Sequence, residues 1–82
     1  MDKGFVIYGR KSCPWCVRAE QLVGSYGIPF KFVDISRSKP QFLAEEMTRR
    51  NWNTVPVIFF KRGDENLFLG GYTDLEKILV DA

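Results

Sequence analysis

Cys13 and Cys16 are the only thiols in this 82-residue chain, which contains no histidine. They stand three apart in Ser12-Cys13-Pro14-Trp15-Cys16, at the point where one local pattern gives way to another. Ahead runs Phe5-Val6-Ile7-Tyr8, apolar and β-prone, followed by Gly9-Arg10-Lys11 as a loop. Behind, Val17, Ala19, Leu22, Val23 and Tyr26 recur at helical spacing. Proline is favoured as the first residue inside a helix, where its missing N–H would go unpaired anyway. Pro14 therefore places Cys13 at the N-cap and Cys16 just inside the first turn. Residues three apart on a helix have Cβ atoms about 5–6 Å apart, and a disulfide tolerates Cα separations of about 4.4–6.8 Å. The pair can close into a disulfide or open into a dithiol with little backbone movement.

The two thiols are not equivalent. Cys13 faces the unpaired N–H groups and the positive end of the helix dipole, with Arg10 and Lys11 just upstream, and all of these favour thiolate over thiol. Cys16 points toward the body of the protein and is expected to keep a more ordinary pKa. A sulfur held as an anion gains little as an attacker, because intrinsic nucleophilicity falls with pKa, but it is expelled faster as a leaving group. Such a thiol suits a group that takes up a partner and then releases it. A structural disulfide here would close only a tiny loop and remove little entropy from the unfolded chain. A zinc site needs about four ligands, and two cysteines without histidine cannot supply them within one chain. Redox chemistry is the reading these residues favour.

Composition is consistent with that. The chain reads as one small domain over residues 1–82, 45% hydrophobic and 15% aromatic, which supports a folded globule. Twelve basic against ten acidic residues leave a formal charge of +2, too balanced to point to nucleic acid or a membrane as the main partner. The longest apolar run, residues 55–60, is too short to span a bilayer. Met1-Asp2-Lys3-Gly4 leads straight into the first strand without the pattern of a signal peptide. The expected location is the cytoplasm, where catalytic disulfides outnumber structural ones.

The remaining chain must position the cysteines. A first helix ends near Gly27, a left-handed cap, with Pro29 soon after. A second strand spans residues 30–35. Ser38 with Gln41 resembles a capping box, with Pro40 in the first turn of a second helix that runs to about Arg50 and buries Phe42, Leu43 and Met47. Thr54-Val55-Pro56-Val57-Ile58-Phe59-Phe60 reads as a third strand. Pro56 either begins that strand or forms a cis bond that turns Val55 toward the site and offers its backbone to an extended ligand. Residues 61–66 form a hairpin turn and residues 67–69 a short antiparallel strand. Thr73 and Glu76 form a second capping box, opening a final helix with Leu75, Ile78 and Leu79 inward. The preceding pair Gly70-Gly71 is either a tight turn or a close approach of backbone donors to an anion. The order β-α-β-α-β-β-α, with a right-handed crossover between the first two strands, implies an α/β fold: a four-stranded mixed sheet flanked by three helices, thioredoxin-like in view of the Cys-x-x-Cys.

At this point the chain resembles the dithiol glutaredoxins, and among them the small bacterial members that supply electrons to ribonucleotide reductase. The resemblance covers nearly the whole chain and rests on three motifs in the family's order: Tyr8-Gly9-Arg10 leading to Cys13-Pro14-Trp15-Cys16-Val17-Arg18-Ala19, then Thr54-Val55-Pro56, then Gly70-Gly71-Tyr72-Thr73-Asp74. It implies a glutathione–disulfide oxidoreductase with Cys13 as nucleophile and Cys16 as resolving thiol. Glutathione is the implied reductant and no metal is expected. Glutathione contacts are implied at Arg10, Trp15, Thr54, Val55, Pro56, Gly71, Tyr72, Thr73 and Asp74. In that scheme Val55, before a cis Pro56, pairs with the cysteinyl backbone of glutathione. Thr73 and Asp74 hold its γ-glutamyl end, the carboxylate on the helix N-terminus and the ammonium near Asp74. Arg10, where many members carry Lys, favours both the thiolate and the glycyl carboxylate. Trp15 stands where Tyr is most frequent, keeping an aromatic wall but losing the phenolic hydroxyl.

The implied partners are glutathione, disulfide-bearing proteins such as ribonucleotide reductase and, indirectly, glutathione reductase, with the chain acting as a monomer. Two alternatives stand beside this reading. A glutaredoxin-like redoxin reduced by thioredoxin reductase would lack the glutathione-binding set, and Gly71-Tyr72-Thr73-Asp74 argues against it. A homodimer sharing an iron–sulfur cluster through Cys13 and glutathione is disfavoured by the rigid Pro14, while Trp15 leaves room for it.

Overall fold

The structure, a computed structural model, describes residues 3–80. Met1 and Asp2, expected to lead straight into the first strand, lie outside the described residues. The elements are β1 (Lys3–Gly9), α1 (Pro14–Ser25), β2 (Phe30–Asp34), α2 (Gln41–Arg49), β3 (Val57–Arg62), β4 (Glu65–Gly70) and α3 (Tyr72–Val80). The strands form one sheet in the order β2-β1-β3-β4. β1 and β2 run parallel, with Phe5 opposite Phe30 and Gly9 opposite Asp34, while β3 is antiparallel to both β1 and β4. This is the expected thioredoxin-like arrangement.

Alternation along the strands divides the core between two faces. Phe5, Ile7 and Ile58 pack against Ala19 and Val23 of α1 and Leu75 of α3. Val57 and Phe59 pack against Leu43 and Met47 of α2 on the other face. β3 is buried on both faces, which is why its first residues read as an unbroken apolar run. Phe59 is fully buried, and its ring meets those of Tyr8, Phe42 and Phe68 at centroid distances of 5.8, 5.3 and 5.6 Å.

Both α1 and α2 end in a left-handed residue, at the far end of the sheet from the cysteines for α1 and on the site side for α2. After α1, Gly27 (φ 68°) donates to Gly24 O and Ile28 to Val23 O, the paired bonds of a Schellman cap. After α2, Asn51 (φ 54°) plays the same part, with Asn51 N–H on Thr48 O and Trp52 N–H on Met47 O at 2.8 Å. Asparagine tolerates this conformation better than other side-chain-bearing residues do.

Several expectations are corrected. The Ser38–Gln41 capping box does not form: Pro40 is the N-cap, with extended backbone (ψ 142°) and no side-chain cap bond, and the Gln41 amide instead donates to Glu45. The residue before a proline is pushed out of the helical region, so Lys39 cannot be the first helical residue that a Ser38 cap would require. The Thr73–Glu76 box does not form either. α3 begins at Tyr72, and Asp74 Oδ2 accepts the Gly71 N–H at 2.9 Å, so the frame starts two residues earlier. β3 starts at Val57 rather than Thr54. The hairpin turn shrinks to Gly63-Asp64, with Gly63 at φ 60° and Arg62 paired directly with Glu65, which lengthens β4. Phe42 and Ile78, expected inward, are 40% and 43% exposed, because helices this short cover only part of each sheet face.

Phe59 joins α2 to both halves of the sheet, so Phe59→Ala should cost about 3–5 kcal/mol. Urea unfolding followed by far-UV circular dichroism checks this; a loss under about 1 kcal/mol would mean that the ring cluster does not anchor the second core.

Candidate active site

The site starts at the N-terminus of α1. Cys13 is the N-cap residue (φ −94°, ψ 115°), with Pro14 opening the helix as its sequence position requires. The Cys13 N–H donates to Arg10 O at 3.1 Å, and Val17 N–H donates to Cys13 O at 3.1 Å. Its Sγ accepts the backbone N–H of Cys16 at 3.3 Å. Cys13 therefore spends its side chain as a helix cap. Cys13 is partly exposed and Cys16 buried.

Cys16 departs from the expectation of an ordinary pKa. Burial pushes its thiol up to about 11, and the hydrogen bond and charge at Cys13 add to that, while Arg10 opposes through a backbone hydrogen bond and its charge. Gly9 at the end of β1 packs closely against this thiol. A β-carbon on Gly9 would lie 2.5 Å from Cys16 Sγ and 3.0 Å from Cys16 Cβ. Gly9 is thus a positioning residue for the second thiol. Only its place at the strand end ahead of Cys-x-x-Cys hinted at this.

Arg10 and Lys11 divide. Arg10 contributes its carbonyl to Cys13 and its charge to the neighbourhood of Cys16. Lys11 is engaged elsewhere: Nζ pairs with Glu20 at 3.1 Å and sits 4.1 Å from the Phe32 ring centroid. Asp34 lies in the same neighbourhood. Hydrogen bonds from Ser36 hold its carboxyl below the usual range, with the Lys11 and Arg10 charges adding to the effect.

A groove of about 400 Å³ runs beside the cysteines, lined by Trp15, Trp52, Thr54, Val55, Pro56 and the start of α3, residues 71–74. It gathers every sequence-predicted contact except Arg10, which lies outside the lining. The Val55–Pro56 bond is cis, and β3 begins only after it. Pro56 is buried while Val55 is only partly so. One wall is aromatic: the Trp15 ring, 51% exposed, lies 5.3 Å from that of Tyr72, with the Arg18 guanidinium 4.8 Å from the Trp15 ring. These contacts bring the N-terminus of α1 beside that of α3. The first N–H groups of a helix lack intrahelical acceptors, so two positive helix ends converge on one groove.

The glycine pair also resolves. Gly70 has φ 118°, and a β-carbon there would collide with the Asp74 carboxylate. A β-carbon on Gly71 would make ordinary contacts, 3.4 Å from Trp52 and 3.6 Å from Pro56 O. The pair brings backbone close to a carboxylate, and Gly70 is the member that must be glycine. Trp52 was not expected in the groove; its Nε1 donates to Thr54 O at 3.0 Å, bracing the chain ahead of Pro56. The one available signal was Asn51, a candidate left-handed cap that would fold the next residue back.

A thiol on a helix end, a second thiol behind it and a cis-proline groove on a thioredoxin-like sheet define a dithiol oxidoreductase of that fold class. The Glutaredoxin family model matches residues 5–64. The chain is 36% identical over 70 residues to glutaredoxin 3 of Escherichia coli K12, covering 84% of this chain and 77% of that one. It is 33% identical over 82 residues to glutaredoxin 1 of the same strain, covering 84% of each. The solved structure of reduced Escherichia coli glutaredoxin superposes with a TM-score of 0.67 at 32% identity, covering 95% of this chain and 98% of that one. This chain belongs to the glutaredoxin family, whose members are thiol–disulfide oxidoreductases.

Two outcomes follow from the cysteine environment. Near neutral pH, iodoacetamide should label Cys13 alone in the reduced protein, and mass spectrometry should find Cys16 labelled only as pH approaches 11. In addition, an unfolded Cys16 loses its proton near the ordinary value of 9.0, while the folded protein keeps it to about 11. The native state then binds the extra proton, so stability present below pH 9.0 is lost as pH rises to about 11. The Cys16→Ala variant should show a shallower decline in urea midpoint over that range.

Proposed function

We propose that this chain is a glutathione-dependent thiol–disulfide oxidoreductase, acting as a cytoplasmic monomer of one domain on glutathione mixed disulfides and on protein disulfides. The observation that carries the reading is the meeting of two helix N-termini, one capped by Cys13 and the other closing the adjacent groove. An extended anionic thiol peptide fits that arrangement, and glutathione is the reductant that the family uses. Val55 pairs with the cysteinyl backbone, and the γ-glutamyl carboxylate sits on the first N–H groups of α3. Its ammonium lies near Asp74, Trp15 walls the groove, and Arg10 meets the glycyl carboxylate.

In deglutathionylation, the Cys13 thiolate attacks the glutathione sulfur of the mixed disulfide, and the substrate leaves as a thiolate that takes up a proton. A second glutathione thiolate then attacks the sulfur of the bound glutathione, releasing glutathione disulfide and restoring the Cys13 thiolate. Glutathione reductase returns that disulfide to the pool. On a protein disulfide, Cys13 forms a mixed disulfide with one substrate sulfur, and Cys16 loses its proton and attacks Cys13 Sγ. The substrate leaves fully reduced, and two glutathione molecules reopen the Cys13–Cys16 bond. Ribonucleotide reductase is a proposed substrate of this second route.

The same geometry times the resolving step. Two influences that hold the Cys16 proton, the hydrogen bond and the charge at Cys13, disappear once Cys13 is in a mixed disulfide, while those of Arg10 remain. Cys16 becomes easier to ionise only when there is a bond for it to attack.

The test is turnover coupled to glutathione and glutathione reductase. Cys13→Ser should abolish both activities, while Cys16→Ser should keep deglutathionylation and lose protein-disulfide reduction. Asp74→Ala should raise the KM for glutathione about tenfold, as expected for loss of a charge-assisted contact. Faster reduction by thioredoxin reductase than by glutathione, or normal turnover of the Cys13 variant, would overturn the reading.

A further inference from the structure

A second cavity, of about 340 Å³, lies where α2 leaves the sheet uncovered. Its lining includes Gly4, Val6 and Tyr8 of β1, Lys31 and Val33 of β2, Phe42 of α2, and Lys61 and Asn66 across the hairpin. The register explains why these meet. Val6 lies opposite Lys31 on one side, and Gly4 lies opposite Lys61, itself opposite Asn66, on the other. Residues directly opposite share a face of the sheet, so Lys31 and Lys61 rise on either side of β1 with only Gly4 and Val6 between them. Gly4 has no side chain to fill the space. Phe42, 40% exposed, forms the wall toward α2. Lys3 also lines the cavity, but the alternation that turns Phe5 to the other face turns Lys3 with it.

The chemistry of this lining is one-sided. It contains no carboxylate, and the ion pairs found among the described residues leave Lys31 and Lys61 out. Two ammonium groups therefore flank an apolar floor with no counter-charge among the described residues. Tyr8 supplies a phenol that burial keeps protonated by raising its pKa, and Asn66 supplies an amide. A cavity at the small end of ligand-site volumes, apolar with a few polar groups at its margin, is the form that small-molecule sites take. Its lining shares no residue with the cysteine groove.

We propose that this cavity is a second binding site, distinct from the cysteine groove, for a small aromatic anion whose ring lies on Val6, Val33 and Phe42 and whose anionic group lies between Lys31 and Lys61. Aromatic carboxylates and nucleoside phosphates share that chemistry. Occupancy leaves the thiols untouched, so both partners can be bound at once.

The experiment is a ¹⁵N–¹H NMR titration of the reduced protein with 1-naphthoate in one arm and adenosine monophosphate in the other. Saturable shifts are expected at Gly4, Val6, Lys31 and Asn66 in at least one arm, and the stronger arm identifies the source of the anion. The Lys31→Gln/Lys61→Gln variant should weaken binding at least tenfold while glutathione-coupled turnover stays unchanged. A folded Gly4→Val variant, its dispersion checked in the same spectra, should lose the shifts by filling the floor. Shifts at residues 71–74 instead, no saturation in either arm, or undiminished binding in the lysine variant would each overturn the proposal.

Discussion

The structure depends on one contact: the Cys13 sulfur capping the first turn of α1, with the Cys16 N–H 3.3 Å away. A cap position normally goes to an oxygen-bearing side chain. Here a sulfur takes it, so the group that stabilises the helix start is also the group that reacts. The same turn puts Cys16 directly behind, where Gly9 leaves room for it and for nothing larger. The accessible sulfur and the enclosed one differ by environment, although they stand three residues apart on one helix.

The second constraint is the way the sheet aims α3 at that site. β4 ends at Gly70, whose left-handed backbone turns the chain directly into the helix, and Asp74 ties down the Gly71 N–H. Asp74 therefore has two tasks, holding the turn and presenting a carboxylate at the groove. On the far side, the cap of α2 at Asn51 brings Trp52 back to brace Thr54. The groove is thus bounded by two chain reversals, one tied by Asp74 and the other braced by Trp52.

The two sheet faces serve different ends. α1 and α3 cover one, and their N-termini make the site. α2 has only nine residues and covers less of the other, leaving the lysine-flanked cavity over Gly4. In a domain this small the core is modest, and a face left partly open is the natural place for a second contact.

What the sequence determined by itself was the order of elements and the identity of the redox pair. Pro14 after Cys13 specifies a helix start, and apolar periods of two and 3.6 specify strand and helix without reference to anything distant. The motif residues Thr54, Val55, Pro56 and Tyr72 to Asp74 were legible only through the resemblance to the glutaredoxins; read by themselves, the proline and the glycine pair left their alternatives open. Only the tertiary structure decided the rest. The raised thiol of Cys16 depends on burial beside Gly9 at the end of a neighbouring strand, Trp52 enters the groove through a helix cap, and α3 begins at Tyr72 because Asp74 reaches back to Gly71. The isomer at Pro56 and the need for glycine at 70 rather than 71 were settled there too. Burial and hydrogen bonding between segments far apart in the chain set these features, and periodicity along a single segment carries no record of them.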